Sequence, residues 1–278
     1  MYGPTPEDWY AANRAMWDER VPIHAASDYY GLDRFRAGED PLRAFEREEV
    51  GDVTGRSLLH LQCHFGLDTL SWARHGAAHV VGLDFSEPAV ETARALAADL
   101  GLTPDRAAFV AADVYVAAEA VPDSSYDIVY TGGGALCWMP DLDRWAETVA
   151  ALVAPGGFLY VAEFHPFADS FDDETGTRLV HDYFVRDPWV DTTSTGTYAD
   201  RDAATVHNRS VEWVHPVGAV VTAIARAGLR IEFLHEHDMT LHARYENLQR
   251  QDDGSYRFPA GHPRIPLMYS IKATKPAS

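Results

Sequence analysis

Leu58-Leu59-His60-Leu61-Gln62-Cys63-His64-Phe65-Gly66, followed by Val80-Val81-Gly82-Leu83-Asp84-Phe85-Ser86, decides the fold. The first stretch reads as an apolar strand running into a tight turn that carries one glycine. A helical period follows, and the second stretch is another apolar strand that ends in a carboxylate. Asp84 falls 21 positions after Cys63. A carboxylate so placed in a βαβ unit accepts both hydroxyl protons of a ribose lying over the first turn. A ligand with an adenosine half is the expectation. The alternative is an ordinary βαβ unit in which Asp84 and Ser86 only cap the next helix.

What the turn lacks narrows the ligand. A dinucleotide fingerprint needs three glycines, so that backbone can approach a pyrophosphate at the helix N-terminus. Here Gly66 stands alone and Gln62, Cys63, His64 and Phe65 fill the other places. Bulky side chains in the turn argue for a ligand without phosphates, and among common adenosine cofactors that is S-adenosylmethionine. The segment resembles the first two motifs of class I S-adenosylmethionine-dependent methyltransferases, most closely the bacterial subgroup that writes the turn as Leu-Gln-Cys-His-Phe-Gly. It departs from the usual form, an acidic residue followed by three glycines.

The rhythm on either side extends the pattern. Strands are expected at 57–63, 79–84, 107–112 and 126–131, and helices at 67–75 and 87–100, the latter with Ala89, Val90, Ala93, Leu96, Ala97 and Leu100 on one face. Leu142, Trp145, Val149 and Leu152 mark another helix, closed by Pro155-Gly156-Gly157 before the strand Phe158–Ala162. Such alternation means a parallel sheet covered on both faces. After a helix from Val217 and a strand from Leu229 to His235, a polar loop leads to a last strand, Leu267–Ala273. A strand reached without a crossover helix pairs antiparallel. The whole resembles the doubly wound, mostly parallel seven-stranded sheet of that family, with its reversed last strand.

Three regions follow. Residues 1–55 form an N-terminal helical cover, with a helix from a Thr5/Asp8 capping box through Trp9, Ala12 and Met16 toward Trp17, and a second around 41–50. Residues 56–164 and 215–278 form the cofactor-binding core. Residues 165–214, rich in Asp, Thr, Gly and aromatic side chains, break the rhythm; 178–185 and 206–214 read as antiparallel strands. The resemblance makes this insertion an acceptor lid; otherwise it is a surface hairpin.

Bulk properties limit the partners. The chain carries 42 acidic against 23 basic residues, a formal charge of −19, so nucleic acid and anionic membranes are repelled and a small-molecule acceptor is expected. Two cysteines exclude a disulfide framework and no signal-peptide pattern opens the chain, so a cytoplasmic monomer or homodimer is expected. His235, His237 and His242 lack metal-ligand spacing, and no bound metal is expected.

The resemblance implies roles for particular residues. Gln62, Cys63, His64 and Gly66, with Asp68 and Thr69 in the following helix turn, surround the methionine portion of S-adenosylmethionine. Asp84 holds the ribose, flanked by Phe85 and Ser86. Asp113 and the amide of Val114 meet the adenine, and Thr131, Gly132 and Gly133 follow the fourth strand, where small residues admit the ligand. Methyl transfer yields S-adenosylhomocysteine and needs mainly in-line placement of an oxygen, nitrogen or carbon nucleophile, since proximity supplies about 7–11 kcal/mol. Catalytic candidates are His165 as a base, Glu163 beside it, and Tyr29 closing with His24 and Tyr30 over the sulfonium. The competing readings are an NAD(P)-dependent oxidoreductase and a non-catalytic adenosine-ligand sensor.

Overall fold

A computed structural model describes residues 6–277. The chain opens with α1 (Pro6–Ala26), α2 (Leu32–Arg36) and α3 (Ala44–Val50). It then alternates through β1 (Ser57–Leu61), α4 (Leu67–Arg74), β2 (His79–Asp84), α5 (Glu87–Asp99), β3 (Ala107–Ala111), the short α6 (Ala117–Ala120), β4 (Tyr126–Thr131), α7 (Leu142–Leu152) and β5 (Val153–Phe164). The insertion contributes β6 (Trp189–Asp191) and β7 (Ser210–Glu212). The core resumes with α8 (Val217–Arg226) and β8 (Arg230–His237), and after the hairpin β9 (Gln249–Arg250) and β10 (Tyr256–Arg257) ends with β11 (Met268–Thr274).

Seven strands form one sheet in the order β3-β2-β1-β4-β5-β11-β8. β11 runs antiparallel to both β5 and β8, while β1 to β5 pair in parallel. This is the doubly wound sheet with a reversed late strand that the sequence pattern called for. Alternation along β1 sends Leu58 into one core layer with Leu70, Trp72, Val80 and Tyr130, and Leu59 into the other with Trp145, Val149, Val161 and Ile224. Both faces are thus apolar, as a covered parallel sheet requires. The strand order reverses at the β1/β4 pair, and a crevice opens at the carboxyl ends of strands at such a switch point.

Caps place the helices that frame this crevice. The Ser86 hydroxyl accepts from Ala89 N at the start of α5, and Asp141 accepts from Arg144 N, 3.0 Å, at the start of α7. The box at Thr5 lies outside the described residues. α1 does not stop near Trp17; it continues through Pro22 to Ala26. Side chains of α1 bind the insertion: Asn13 exchanges two 2.8 Å hydrogen bonds with the Val211 backbone, and Glu19 accepts from the amides of Val206 and His207. Beyond Pro22, which interrupts the helical ladder, His24 anchors the helix end, its Nδ1 3.0 Å from His64 Nε2.

Within the insertion, residues 178–185 form no strand, and 206–214 yields only β7, which pairs with β6. The Asp172 carboxylate collects the amides of Thr175, Thr177 and Arg178 and folds that stretch into a turn. Leu179, which makes a single antiparallel bridge to Phe171, and Phe184 are left exposed, at 65% and 78%.

Candidate cofactor cleft

The turn after β1 has a backbone that favours glycine at three places: Gln62, His64 and Gly66 have φ of 59°, 50° and 78°. Only Gly66 lacks room, since a Cβ there would lie 2.5 Å from the Phe109 ring. The two larger residues adopt a left-handed conformation that costs roughly 1–2 kcal/mol each, and their side chains are tied down. Gln62 Nε2 donates to Ala135 O, 2.8 Å, and His64 Nε2 lies 3.0 Å from His24 Nδ1.

Asp84 ends β2 beneath this turn. One carboxylate oxygen accepts from His64 N at 2.8 Å and the other from Ser86 N at 2.9 Å. Burial pushes its carboxyl up to about 6, and the two amides oppose that rise. Each oxygen keeps a lone pair for a further donor.

The cleft above has a volume of about 180 Å³. Gln62, His64, Asp84, Phe85, Ser86, Asp113 and Val114 all line it. Asp113 also accepts from Tyr115 N, 2.8 Å, shaping the short turn below. The roof comes from Trp9, Tyr10, Asn13 and Trp17 of α1, and Trp138, Tyr198 and Trp213 close the sides. Trp17 meets His64 and Trp138 edge-on, with ring centroids 5.4 and 5.5 Å away. These roof residues were not among the expected contacts, although Trp9, Asn13 and Trp17 recur every fourth residue and therefore share one helix face.

Other expected residues lie elsewhere. The Cys63 sulfur is buried against Gly82, Gly66 starts α4, and Thr69 bonds His60 Nδ1 at 2.9 Å. Asp68 faces Gly132 and Glu46 behind the end of β4, and its carboxyl is pushed up to about 7 by burial and by Glu46. Of the run after β4, Gly133 lines the cleft together with Gly134, while Thr131 and Gly132 do not. Thr131 stands beside the turn, in register with Leu61.

The three catalytic candidates are placed away from the cleft. His165 is buried, its Nε2 3.0 Å from Glu236 and its Nδ1 accepting from Phe167 N. With both ring nitrogens engaged, it has no lone pair for an acceptor's proton. Glu163 accepts from the amides of Gly134, Ala135, Leu136 and Phe164, so it builds the cleft loop from behind. Tyr29 packs against the outer side of Tyr30 and Tyr198, and it is Tyr30 that reaches the cleft.

The arrangement suits an adenosyl amino acid. Gln62 Oε1, in the cleft wall, is buried with no hydrogen-bond partner among the described residues, an acceptor of the kind an ammonium group satisfies. Asp84 offers its free lone pairs where a ribose would lie. The comparisons agree: residues 58–157 match the family model described as a methyltransferase domain. The matched domain lies within the fold that class I S-adenosylmethionine-dependent methyltransferases share. A ubiquinone biosynthesis O-methyltransferase of Neisseria meningitidis is 33% identical over 132 residues, 48% of this chain and 54% of the relative. The chain spans about half the length of that relative. Among solved structures, an S-adenosylmethionine-dependent methyltransferase from Mesorhizobium loti is 20% identical with TM-score 0.56, covering 88% of this chain and all of the other. DhpI in complex with S-adenosylhomocysteine is 17% identical with TM-score 0.56, covering 99% and 100%. At these identities the structures share the fold. S-adenosylmethionine is the family's cofactor. No helix among the described residues is long and apolar enough to cross a membrane.

Proposed function

We propose that this methyltransferase moves the methyl group of S-adenosylmethionine to an oxygen, nitrogen or carbon nucleophile of a small molecule, by in-line displacement, with the insertion as acceptor lid. The observation that carries the reading is the joining of Asp84, the turn Gln62–Gly66 and Asp113 in one aromatic-roofed cleft. Bound there, S-adenosylmethionine supplies an electrophilic methyl carbon. Asp84 accepts the ribose hydroxyl protons, Gln62 Oε1 takes an ammonium hydrogen, and Asp113 with the Val114 amide meets the adenine. Trp17, Tyr30 and Tyr198 exclude water and offer ring faces to a cation. None of the three candidate bases reaches the cleft, so orientation carries the acceleration.

A nicotinamide cofactor fits the turn poorly, because Gln62 and His64 fill places where backbone would have to approach a pyrophosphate. Calorimetry with S-adenosylmethionine and NADH separates the two readings, and selective NADH binding overturns this one. Incubation with methyl-labelled S-adenosylmethionine and a metabolite extract tests turnover. Tight binding with no labelled product from any extract leaves the sensor reading standing.

A further inference from the structure

A second cavity, of about 590 Å³, lies between the insertion, the carboxyl end of β5 and the amino end of the antiparallel β11. That volume falls in the range of small-molecule sites. It abuts the cofactor cleft: Trp213 lines both, and Leu136 of the second cavity follows Ala135 of the first. Its walls are largely aromatic, with Phe164, Trp213 and Tyr269 within and the half-exposed Val180 and Trp189 at the mouth.

The polar groups in this cavity do not balance. Glu212 on β7 points a carboxylate into it with one hydrogen bond of its own, from the Ser210 hydroxyl at 3.1 Å. Burial holds the Glu212 carboxyl above its ordinary value; the Ser210 bond and Arg244 oppose the rise, and Asp169 and Asp191 add to it. Arg244, the guanidinium lining the cavity, is already engaged by Asp169 at 2.6 Å. His215 spends Nε2 on Met139 O, and burial holds it below its ordinary value. Asp173 and Asp182 add further negative charge to the lining. A carboxylate so buried is costly until a cation or strong donor meets it, and the surrounding ring faces attract positive charge as well.

We propose that this cavity binds the methyl acceptor, and that the acceptor is an aromatic molecule bearing a protonated amine, its ring among Phe164, Trp213 and Tyr269 and its ammonium on Glu212. The proposal rests on the methyltransferase reading above and adds the substrate class. Glu212 is then a specificity-determining residue, which selects a charged amine over a neutral group of the same shape.

Tryptamine and its neutral alcohol counterpart, tryptophol, are suitable probes. Each is titrated calorimetrically into the full chain saturated with S-adenosylhomocysteine. Tryptamine is expected to bind at least about tenfold more tightly, Glu212→Gln to abolish the difference, and Glu212→Asp to retain part of it. The native comparison needs no variant. Equal affinities, tighter binding of tryptophol, or no binding of either overturns the proposal, as does a preference that survives in Glu212→Gln. If S-adenosylhomocysteine itself does not bind, the methyltransferase reading fails instead.

Discussion

Replacing Asp84 by Asn separates the two tasks its carboxylate performs. In the turn it accepts from His64 N and Ser86 N; an asparagine oxygen retains one of these bonds, while its NH2 group faces the other amide. Losing that acceptor inside the protein costs about 1–3 kcal/mol. The substitution also removes a penalty. Burial raises the carboxyl from 3.8 to about 6, so ionised Asp84 costs the folded state on the order of 3 kcal/mol at neutral pH. Because the folded value is the higher one, stability is greatest below the unfolded value near 4 and falls as pH rises toward 6. The two changes nearly cancel, and the thermal midpoint at pH 7.5 should move by only a few degrees. Cofactor affinity has no such compensation. Loss of one charge-assisted bond to a ribose hydroxyl is worth about 1.5–3 kcal/mol, or roughly 10- to 150-fold in Kd for S-adenosylhomocysteine. In the native protein that affinity should climb with pH as Asp84 ionises and level off above about 6; in Asp84→Asn the rise should be absent. Unchanged affinity in the variant refutes the ribose assignment, and a collapsed fold refutes the cancellation.

Asp68→Asn relieves a carboxyl whose value is raised to about 7, so the variant's gain in stability should be larger at pH 8 than at pH 5, by roughly 2 kcal/mol in urea titrations; an equal gain at both pH values contradicts the charge argument. Glu163→Gln strips acceptors from the amides of residues 134–136, and should lower stability by about 2–4 kcal/mol and weaken S-adenosylhomocysteine binding, both read by calorimetry. Asn13→Ala breaks both bonds to the Val211 backbone, so hydrogen exchange around 206–212 should speed up about tenfold or more while the core strands keep their protection. His165→Ala, by contrast, should leave methyl transfer, once an acceptor is in hand, with an unaltered pH profile, since His165 bonds to Glu236 and the Phe167 amide rather than facing the cleft.

The strand and helix sequence of the core was legible because its signals are local: apolar runs, the Ser86 cap, and the glycines that stop helices. Asp84 and Asp113 were legible because strand ends in a doubly wound sheet fix which residues face the crevice. Glu163 and His165 share that strand-end position yet act elsewhere. The amides that capture Glu163 belong to the loop after β4, a neighbour set by strand order rather than by anything near residue 163. The insertion misled for a related reason, since a run rich in apolar and aromatic residues at 178–185 becomes a strand only if another chain segment pairs along its length.

His64 shows the same dependence most sharply. Read alone, a histidine in a turn that favours glycine looks like a defect costing about 1–2 kcal/mol. In the fold its ring lies between Trp17 and Phe65 and bonds His24, 40 residues upstream. Burial holds both histidines below their ordinary values, so the pair is neutral and one proton serves the bond between them. The cover thus supplies what the turn lacks, and turn and cover are one structural commitment. It follows that His24→Ala should mimic damage to the turn itself: with His64 Nε2 left unpaired and the left-handed backbone no longer held, cofactor binding should fall by about tenfold. His64→Gly in the same background should restore part of that loss by removing the strain. Calorimetry on the two variants checks this, and a double variant no better than His24→Ala alone would show that the strain does not reside at His64.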